Sequence, residues 1–239
     1  MSLANLEACE QRILSQNGED GVIEAIFAEI GVTNKYFVEF GCQYATQCNT
    51  ANLLLKRWTG LLMDGTCTSR NPMATIHNEF VTAENIDFLF RKYQVPQSFD
   101  LLSIDIDGND FWVWKAISHR PRVVVVEYNA HLPPHECRTI AYEPNFDWSG
   151  TDYFGASLLA LARLGRLKGY TLVHCERAGV NAFFIADEEL PAGYAPPPIE
   201  TIYRRPNYKY RGLRFRPEPT RAMIDPFATE GAGSENHAD

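Results

Sequence analysis

Short apolar runs recur along the chain, each bounded by turn residues and separated from the next by a segment of helix length. The clearest are Tyr36-Phe-Val-Glu-Phe40, Gly60-Leu-Leu-Met-Asp64, Asp100-Leu-Leu-Ser-Ile-Asp105 and Val123-Val-Val-Val-Glu127. Runs of this length, apolar on both faces, are the pattern of strands buried in a parallel sheet. They predict strands at 36–40, 60–64, 100–105 and 123–127, with a weaker one at Phe80-Val-Thr82. Gly169 to His174 and Asn181 to Ala186 predict an antiparallel pair around the turn Arg177-Ala-Gly179. Helical spacing appears in 4–14, in 20–30 through Val22, Ile23, Ile26, Phe27 and Ile30, and from Thr50 through Leu53, Leu54, Leu55 and Trp58. Further helices are predicted at 86–93, 111–117 and 157–167, and loop plus a short helix between Asp64 and Asn78. The segment from Asn129 to Phe154 has no period; loops of this length are commonly binding loops or lids. The fold class expected is α/β: a mostly parallel sheet closed by an antiparallel pair. The organisation expected is an N-terminal helical segment over 1–30, the sheet domain over 31–190, and a Pro/Arg/Tyr-rich arm and tail over 191–239.

The strand ends carry the chemistry. Glu39, Asp64, Asp105 with Asp107, and Glu127 each stand at or just beyond the carboxyl end of a run. In open α/β sheets ligands bind outside those ends. Fixed acids there suit a ligand with hydroxyls and positive charge, and they disfavour a polyphosphate. The net charge of −8 over 239 residues argues against a nucleic-acid partner. No apolar run approaches the ~20 residues that span a bilayer. The six cysteines form no Cys-x-x-Cys pair, so they are expected as free thiols in a reducing, cytoplasmic location. Cys42 and Cys48 flank the first loop, where packing is their ordinary role. The arm carries Arg204, Arg205, Lys209, Arg211, Arg214, Arg216 and Arg221 among aromatic residues. Against an acidic body, such an arm is expected to lie over the protein.

A nicotinamide dinucleotide needs Gly-x-Gly-x-x-Gly after the first strand. Here Gly41 is followed by Cys42, Gln43, Tyr44 and Ala45, and no P-loop follows any strand. S-adenosylmethionine, a nucleoside without phosphates, fits better: Asp64 can accept from its ribose, while Glu39 and Asp105 attract its positive groups. The motifs Ser15-Gln-Asn-Gly-Glu-Asp-Gly21, Phe37-Val-Glu-Phe-Gly41, Asn49-Thr50, Trp58-Thr-Gly-Leu-Leu62, Asp100 to Gly108, Val126-Glu-Tyr-Asn129 and Gly179-Val-Asn-Ala-Phe-Phe184 resemble, in order and spacing, the FkbM-type class I methyltransferases. The likeness covers about residues 12–190. It implies a Rossmann-like seven-stranded domain and S-adenosylmethionine-dependent methyl transfer, often to oxygen. Tyr44 and Ala45 depart from the family's glycine-rich first loop.

With that resemblance, the cofactor-binding set expected is Glu39, Gly41, Cys42, Asn49, Asp64, Asn85 and Asp105. Gln16, Glu19, Tyr128, Asn129, Trp148 and Asn181 are the substrate-binding candidates. His131 and Asp107 are the catalytic candidates, the histidine as a base titrating near working pH. Asp105, Asp107 and Glu127 could hold Mg²⁺, which takes a few carboxylates and keeps waters. As an alternative, Asp107 to Asp110 could simply cap the helix at Phe111. The long loop is expected to wall the acceptor pocket with Tyr128, His131, Tyr142, Phe146, Trp148 and Tyr153. The function expected is O-methylation of a small-molecule or sugar hydroxyl. The competing readings are amine methylation, intramolecular alkylation, or a non-catalytic nucleoside- or protein-binding domain. The partners expected are the acceptor and a second copy in a homodimer, with neither nucleic acid nor membrane.

Overall fold

The computed structural model describes residues 3–42, 45, 47–66, 70–71, 74–207 and 215–228. Its centre is a sheet of eight strands among the described residues: β1 (Tyr36–Phe40), β2 (Thr59–Asp64), β3 (Arg70–Asn71), β4 (Ala74–Asn78), β5 (Ser98–Ile104), β6 (Arg120–Glu127), β7 (Tyr170–Cys175) and β8 (Asn181–Ala186). Their spatial order is β3-β4-β2-β1-β5-β6-β8-β7. Pairings β4-β2-β1-β5-β6 are parallel, and β8 runs antiparallel between β6 and β7. Without the two-residue edge strand β3, this is the Rossmann-like seven-stranded sheet expected from the sequence. The order reverses at β1, so the crevice between the ends of β1 and β5 is the topological switch point.

Alternate residues of each central strand enter opposite cores, which explains why the runs are apolar throughout. In β6, Val124 and Val126 face helices α3 (Ile86–Lys92), α4 (Asp110–Ala116) and α5 (Leu158–Leu167), among Phe90, Phe111, Trp114 and Leu161. Val123 and Val125 face the other side, against Val22, Ile23, Ile26 and Phe27 of α1 (Glu19–Ile30) and Leu53 of α2 (Ala51–Leu55).

Two predicted elements differ. Residues 80–82 are not a strand; the strand parallel to β2 is β4, in the stretch expected as loop and helix. Its apolar content is low because it lies near the sheet edge, where one flank is only the short β3. The helix expected over 4–14 is a 3-10 helix, Leu3–Cys9, and residues 10–18 form a loop. That loop is organised by one carboxylate: Asp20 Oδ2 accepts from the backbone N–H groups of Ile13, Leu14 and Ser15 at 2.7–2.8 Å. Such a bond set outcompetes continuation of a helix whose sequence holds little apolar periodicity past Leu6. Among the described residues, no helix is long and apolar enough to cross a membrane.

At the opposite, amino-terminal edge of the sheet a buried ion pair ties three elements together. Asp100 Oδ1 meets Arg122 Nη1 at 2.8 Å, and the same carboxylate accepts from the backbone N–H groups of Thr33, Asn34 and Lys35. Arg122 also donates to the carbonyls of Ile30 and Gly31 and to Glu189. Burial alone would raise Asp100, but Arg122, Thr33 and Lys35 outweigh it and hold the carboxyl below its ordinary value. Asp100→Asn is therefore expected to cost about 3 kcal/mol in chemical denaturation at pH 7. That is the low end for breaking a buried pair, because Glu189 still holds the guanidinium. A depressed carboxyl contributes stability that is lost as pH falls through its folded value. The difference between the two proteins should shrink below pH 4; a difference independent of pH would assign the loss to packing instead.

Candidate active site

The carboxyl ends of β1, β2, β5 and β6 open on a cavity of ≈ 420 Å³, within the usual range for small-molecule sites. Its floor is Gly41 and the carboxylates Asp64, Asp105, Asp107 and Glu127; Glu79 and Asp147 stand at its sides. None of its described lining residues is Lys, Arg or His. Aromatic side chains close the rest: Phe40 and Phe80, then Phe146, Trp148 and Phe154 of the long loop, then Phe215 of the C-terminal arm. Phe154 and Phe215 stack with centroids 5.5 Å apart, and Trp148 meets Phe215 at 5.2 Å.

Gly41 is required by close approach. Its φ is +71°, and a Cβ there would lie 1.5 Å from the backbone oxygen of Asp105. The ends of β1 and β5 can therefore come together only at glycine. A second cavity of ≈ 270 Å³ lies beside the first and shares Gln16, Gly41 and Asp105 with it; Glu39, Cys42, Gln47, Cys48, Asn49 and Asn181 complete its described wall.

One oxygen from each of Asp105, Asp107 and Glu127 lies within 4.8 Å of the others. Burial pushes Asp105 well above the ordinary carboxylate range, and the charges of Asp107 and Asp110 push it further. Burial and then Asp105 and Asp107 do the same to Glu127. Asp107 is raised by burial, then by Asp64 and Asp147, and it holds a left-handed backbone, φ +57°. Asp tolerates that conformation at a cost, and such outliers gather at functional sites. Glu127 Oε2 is buried with no hydrogen-bond partner among the described residues. Three hard oxygen donors this close together, one residue with an unpaired oxygen, are of the kind a divalent cation takes once they are deprotonated. Asp110, pushed up to about 6 by burial, is different. It accepts from the N–H groups of Ile106 and Gly108 and shapes the turn before α4, while the expected helix cap is not made, since the N-cap Asn109 forms no side-chain cap bond.

The placement of the other candidates is uneven. Gln16 lines both cavities, held there by its neighbours: Ser15 and Asp20 bond each other, as do Asn17 and Glu19. Asp64 lines the main cavity and accepts from Thr66 N and Oγ1, both at 2.9 Å. Glu39 is spent on the first loop. Oε1 accepts from Asn49 N and Ser103 Oγ, and Oε2 from the N–H and hydroxyl of Thr50. Those bonds lower its carboxyl but do not offset burial, which raises it. Asn49 donates to Ser103, and Cys42 packs against the carbonyl of Met63. Ala45 is buried with φ +53°, and Tyr44 lies outside the described residues.

Asn85 does not reach the cavity lining: its amide bonds Thr82 N and Phe80 O, fixing the turn that presents Phe80 and Val81 to the cavity. Asn129 is fully buried and donates to the carbonyls of Asp152 and Phe154, pinning the end of the loop. Tyr128 is also buried; its hydroxyl donates to Arg204 O. His131 lies against Phe215, centroids 4.9 Å apart, and burial lowers its pKa; it is not a cavity residue. Of the wall expected from the long loop, Phe146 and Trp148 face the cavity. Tyr142 instead bonds Glu84, and Tyr153 Oη accepts from Ala141 N. Phe154 and Phe215 take their places. The first has a sequence signal, since it closes the aromatic loop. Phe215 has none, because its position depends on the arm folding back, where Ile224 pairs with Thr139 and Arg216 with Thr151. Glu176, fully buried and pushed to about 7 by burial and by Glu19, also escaped the motif reading.

Fold and site together define a Rossmann-like α/β protein with an acid-floored ligand cavity at its switch point. Neither a family model nor a curated protein matches this chain. Among solved structures, the chain is similar to an S-adenosylmethionine-dependent methyltransferase from Clostridium acetobutylicum ATCC 824, with 11% identity and a TM-score of 0.35 over 70% of this chain and 89% of that one. The fold class stated above rests on strand order and direction.

Carboxyls raised in the folded state make the native protein hold more protons than the unfolded chain. Its stability then falls as pH rises from the ordinary carboxylate value through the raised one. In chelator-treated protein, Glu127→Gln is expected to raise the melting temperature at pH 8 and to leave it nearly unchanged at pH 4. An equal shift at both pH values would mean that Glu127 is not a strained carboxylate.

Proposed function

We propose that the protein is an S-adenosylmethionine-dependent methyltransferase of the FkbM-type class I kind, acting on a small-molecule or sugar hydroxyl. The observation that carries the proposal is the placement of Asp64 and Asp105 at the ends of β2 and β5, on either side of the Gly41 crevice, in one cavity. Asp64 is positioned for the ribose hydroxyls, with Phe80 and Val81 beside it for the base. The acids favour a ligand bearing positive charge. A cavity without a described basic side chain, in a chain without a glycine-rich phosphate loop, disfavours the dinucleotides that many related sheets bind.

Methyl transfer from a sulfonium needs alignment and exclusion of water more than covalent help. Phe146, Trp148, Phe154 and Phe215 supply the dry wall and a surface for the acceptor's apolar face. Without a bound ion, Asp107 is the group best placed to take the acceptor's proton: it lines the cavity, and its raised pKa brings a carboxylate nearer the strength a general base needs at neutral pH. His131, away from the lining, has a weaker claim. Asp105, Asp107 and Glu127 are the residues that would hold Mg²⁺. The bound ion would supply a Lewis acid that lowers the acceptor hydroxyl's pKa.

Two outcomes test this reading. S-adenosylhomocysteine should raise the melting temperature, because a ligand that binds only the native state stabilises it by mass action. Asp64→Ala should remove most of that shift. A shift with NAD⁺ and none with S-adenosylhomocysteine would overturn the cofactor. Exhaustive chelation should suppress turnover, with added Mg²⁺ restoring it. Undiminished turnover after chelation would leave the three carboxylates as proton-handling and positioning groups.

A further inference from the structure

Asn181 begins β8 and lines the second cavity, yet it is 2% exposed. Its backbone is fixed from below: Glu176 accepts from the N–H groups of Ala178, Val180 and Asn181, holding the β7–β8 turn rigid. Its side chain is fixed from α1, where Asn181 Nδ2 donates to Glu19 Oε1 at 2.9 Å. Glu19 also receives the backbone N–H and the side-chain amide of Asn17. A carboxylate collecting three donors is an acceptor only, so the nitrogen of the Asn181 amide must face Glu19. Oδ1 is thereby turned the other way, buried and without a hydrogen-bond partner among the described residues. A buried acceptor left unmatched in a cavity wall marks the place of a missing donor.

The surroundings specify the donor's charge. Asp105 and Glu39 both line the same cavity, so it carries two carboxyl groups. None of the described residues lining this cavity is basic. Glu39 itself is saturated by the first loop and has no oxygen to spare. Asn181 Oδ1 is therefore a buried acceptor without a partner among the described residues, on a residue that shares a lining with Asp105, in a cavity that meets the main one at Gln16, Gly41 and Asp105.

We propose that Asn181, held in one amide orientation by Glu19, recognises the primary ammonium at the amino-acid end of the cofactor, making it a specificity residue for a cofactor that carries that group. This deepens the S-adenosylmethionine reading and rests on it. Glu19 is the positioning residue; the expected role of Asn181 as an acceptor-substrate contact is replaced by one at the cofactor.

The test is calorimetric binding of three ligands to the full chain: S-adenosylhomocysteine, its analogue with the α-amino group replaced by hydrogen, and 5′-methylthioadenosine, which lacks the amino-acid end. The wild type should prefer S-adenosylhomocysteine to the deaminated analogue by at least about tenfold, the size expected for hydrogen bonding to a charged group. Asn181→Leu should erase that preference while leaving 5′-methylthioadenosine affinity unchanged. Glu19→Gln, which lets the amide turn over, should reduce the preference in the same ligand-selective way. A preference retained in Asn181→Leu overturns the proposal. So does an equal loss for 5′-methylthioadenosine, which would show that the substitution acts on the fold. Wild-type protein that binds none of the three removes the cofactor reading and this inference together. Binding of all three without any preference removes this inference alone.

Discussion

The governing constraint is the confinement of like charge at the ends of adjacent strands. Asp64, Asp105, Asp107 and Glu127 share one cavity wall, and Glu39 and Glu19 stand close behind Asp105. Carboxylates withdrawn from water and crowded together are unfavourable unless they are protonated, paired or bound to a cation. The molecule resolves part of this internally. Glu39 is absorbed by the N–H and hydroxyl groups of Asn49 and Thr50, Asp110 by the turn it shapes, and Asp20 by three backbone N–H groups. Among the buried polar atoms left without a partner in the described residues, Glu127 Oε2 and Asn181 Oδ1 belong to residues that line the two cavities. The stability of the protein is thus linked to occupation of its site, and the native fold is held together elsewhere.

That elsewhere is the two cores and the amino-terminal edge. The alternate burial of β6 residues on both faces packs the sheet between α1 and α2 on one side and α3, α4 and α5 on the other. The Asp100–Arg122 pair sits at the far edge from the cavity, where the guanidinium meets the carboxylates of Asp100 and Glu189. This division separates the part of the sheet that supplies stability from the part that supplies chemistry. It follows from parallel topology: all the carboxyl ends gather on one edge, where loops can vary without disturbing the strands.

The aromatic wall has a similar logic. The long loop cannot hold itself in place with backbone bonds alone, so side chains do it: Asn129 at its start, Trp112 to Ile140 O, Tyr142 to Glu84, and Tyr153 to Ala141. The polar rings expected in the pocket are therefore the fasteners of the loop, because each carries a hydroxyl that must find a partner when buried. Phe146, Trp148 and Phe154 are what remains to face the ligand, and Phe215 from the arm completes the layer. Arg221 lies over Tyr153 at 4.4 Å and fixes the arm on that loop.

The sequence by itself determined the central parallel strands, the closing antiparallel pair and the edge of the sheet at which the candidate site lies. Apolar runs with helical intervals admit few alternatives, and acids at their ends stay at the ends whatever the helices do. It also showed that Gly41 and the acids at 39, 64, 105, 107 and 127 belong to one edge. Strand β4, next to the edge, was hidden because its alternation is weak, and the 3-10 segment because Asp20, 5–7 residues after the N–H groups it binds, outcompetes helix propensity. Only the tertiary structure decided which polar atoms are consumed and which are left. Glu39, Asn85, Asn129 and Tyr128 are chemically able to bind a ligand, but each is engaged by a neighbour brought near through packing. Asn181 and Phe215 become site residues through contacts 162 residues away in chain distance to Glu19 for the first, and through the folding back of the arm for the second. Residue type and spacing carry the capacity for a hydrogen bond; whether it is still available depends on long-range contacts, which no local pattern encodes.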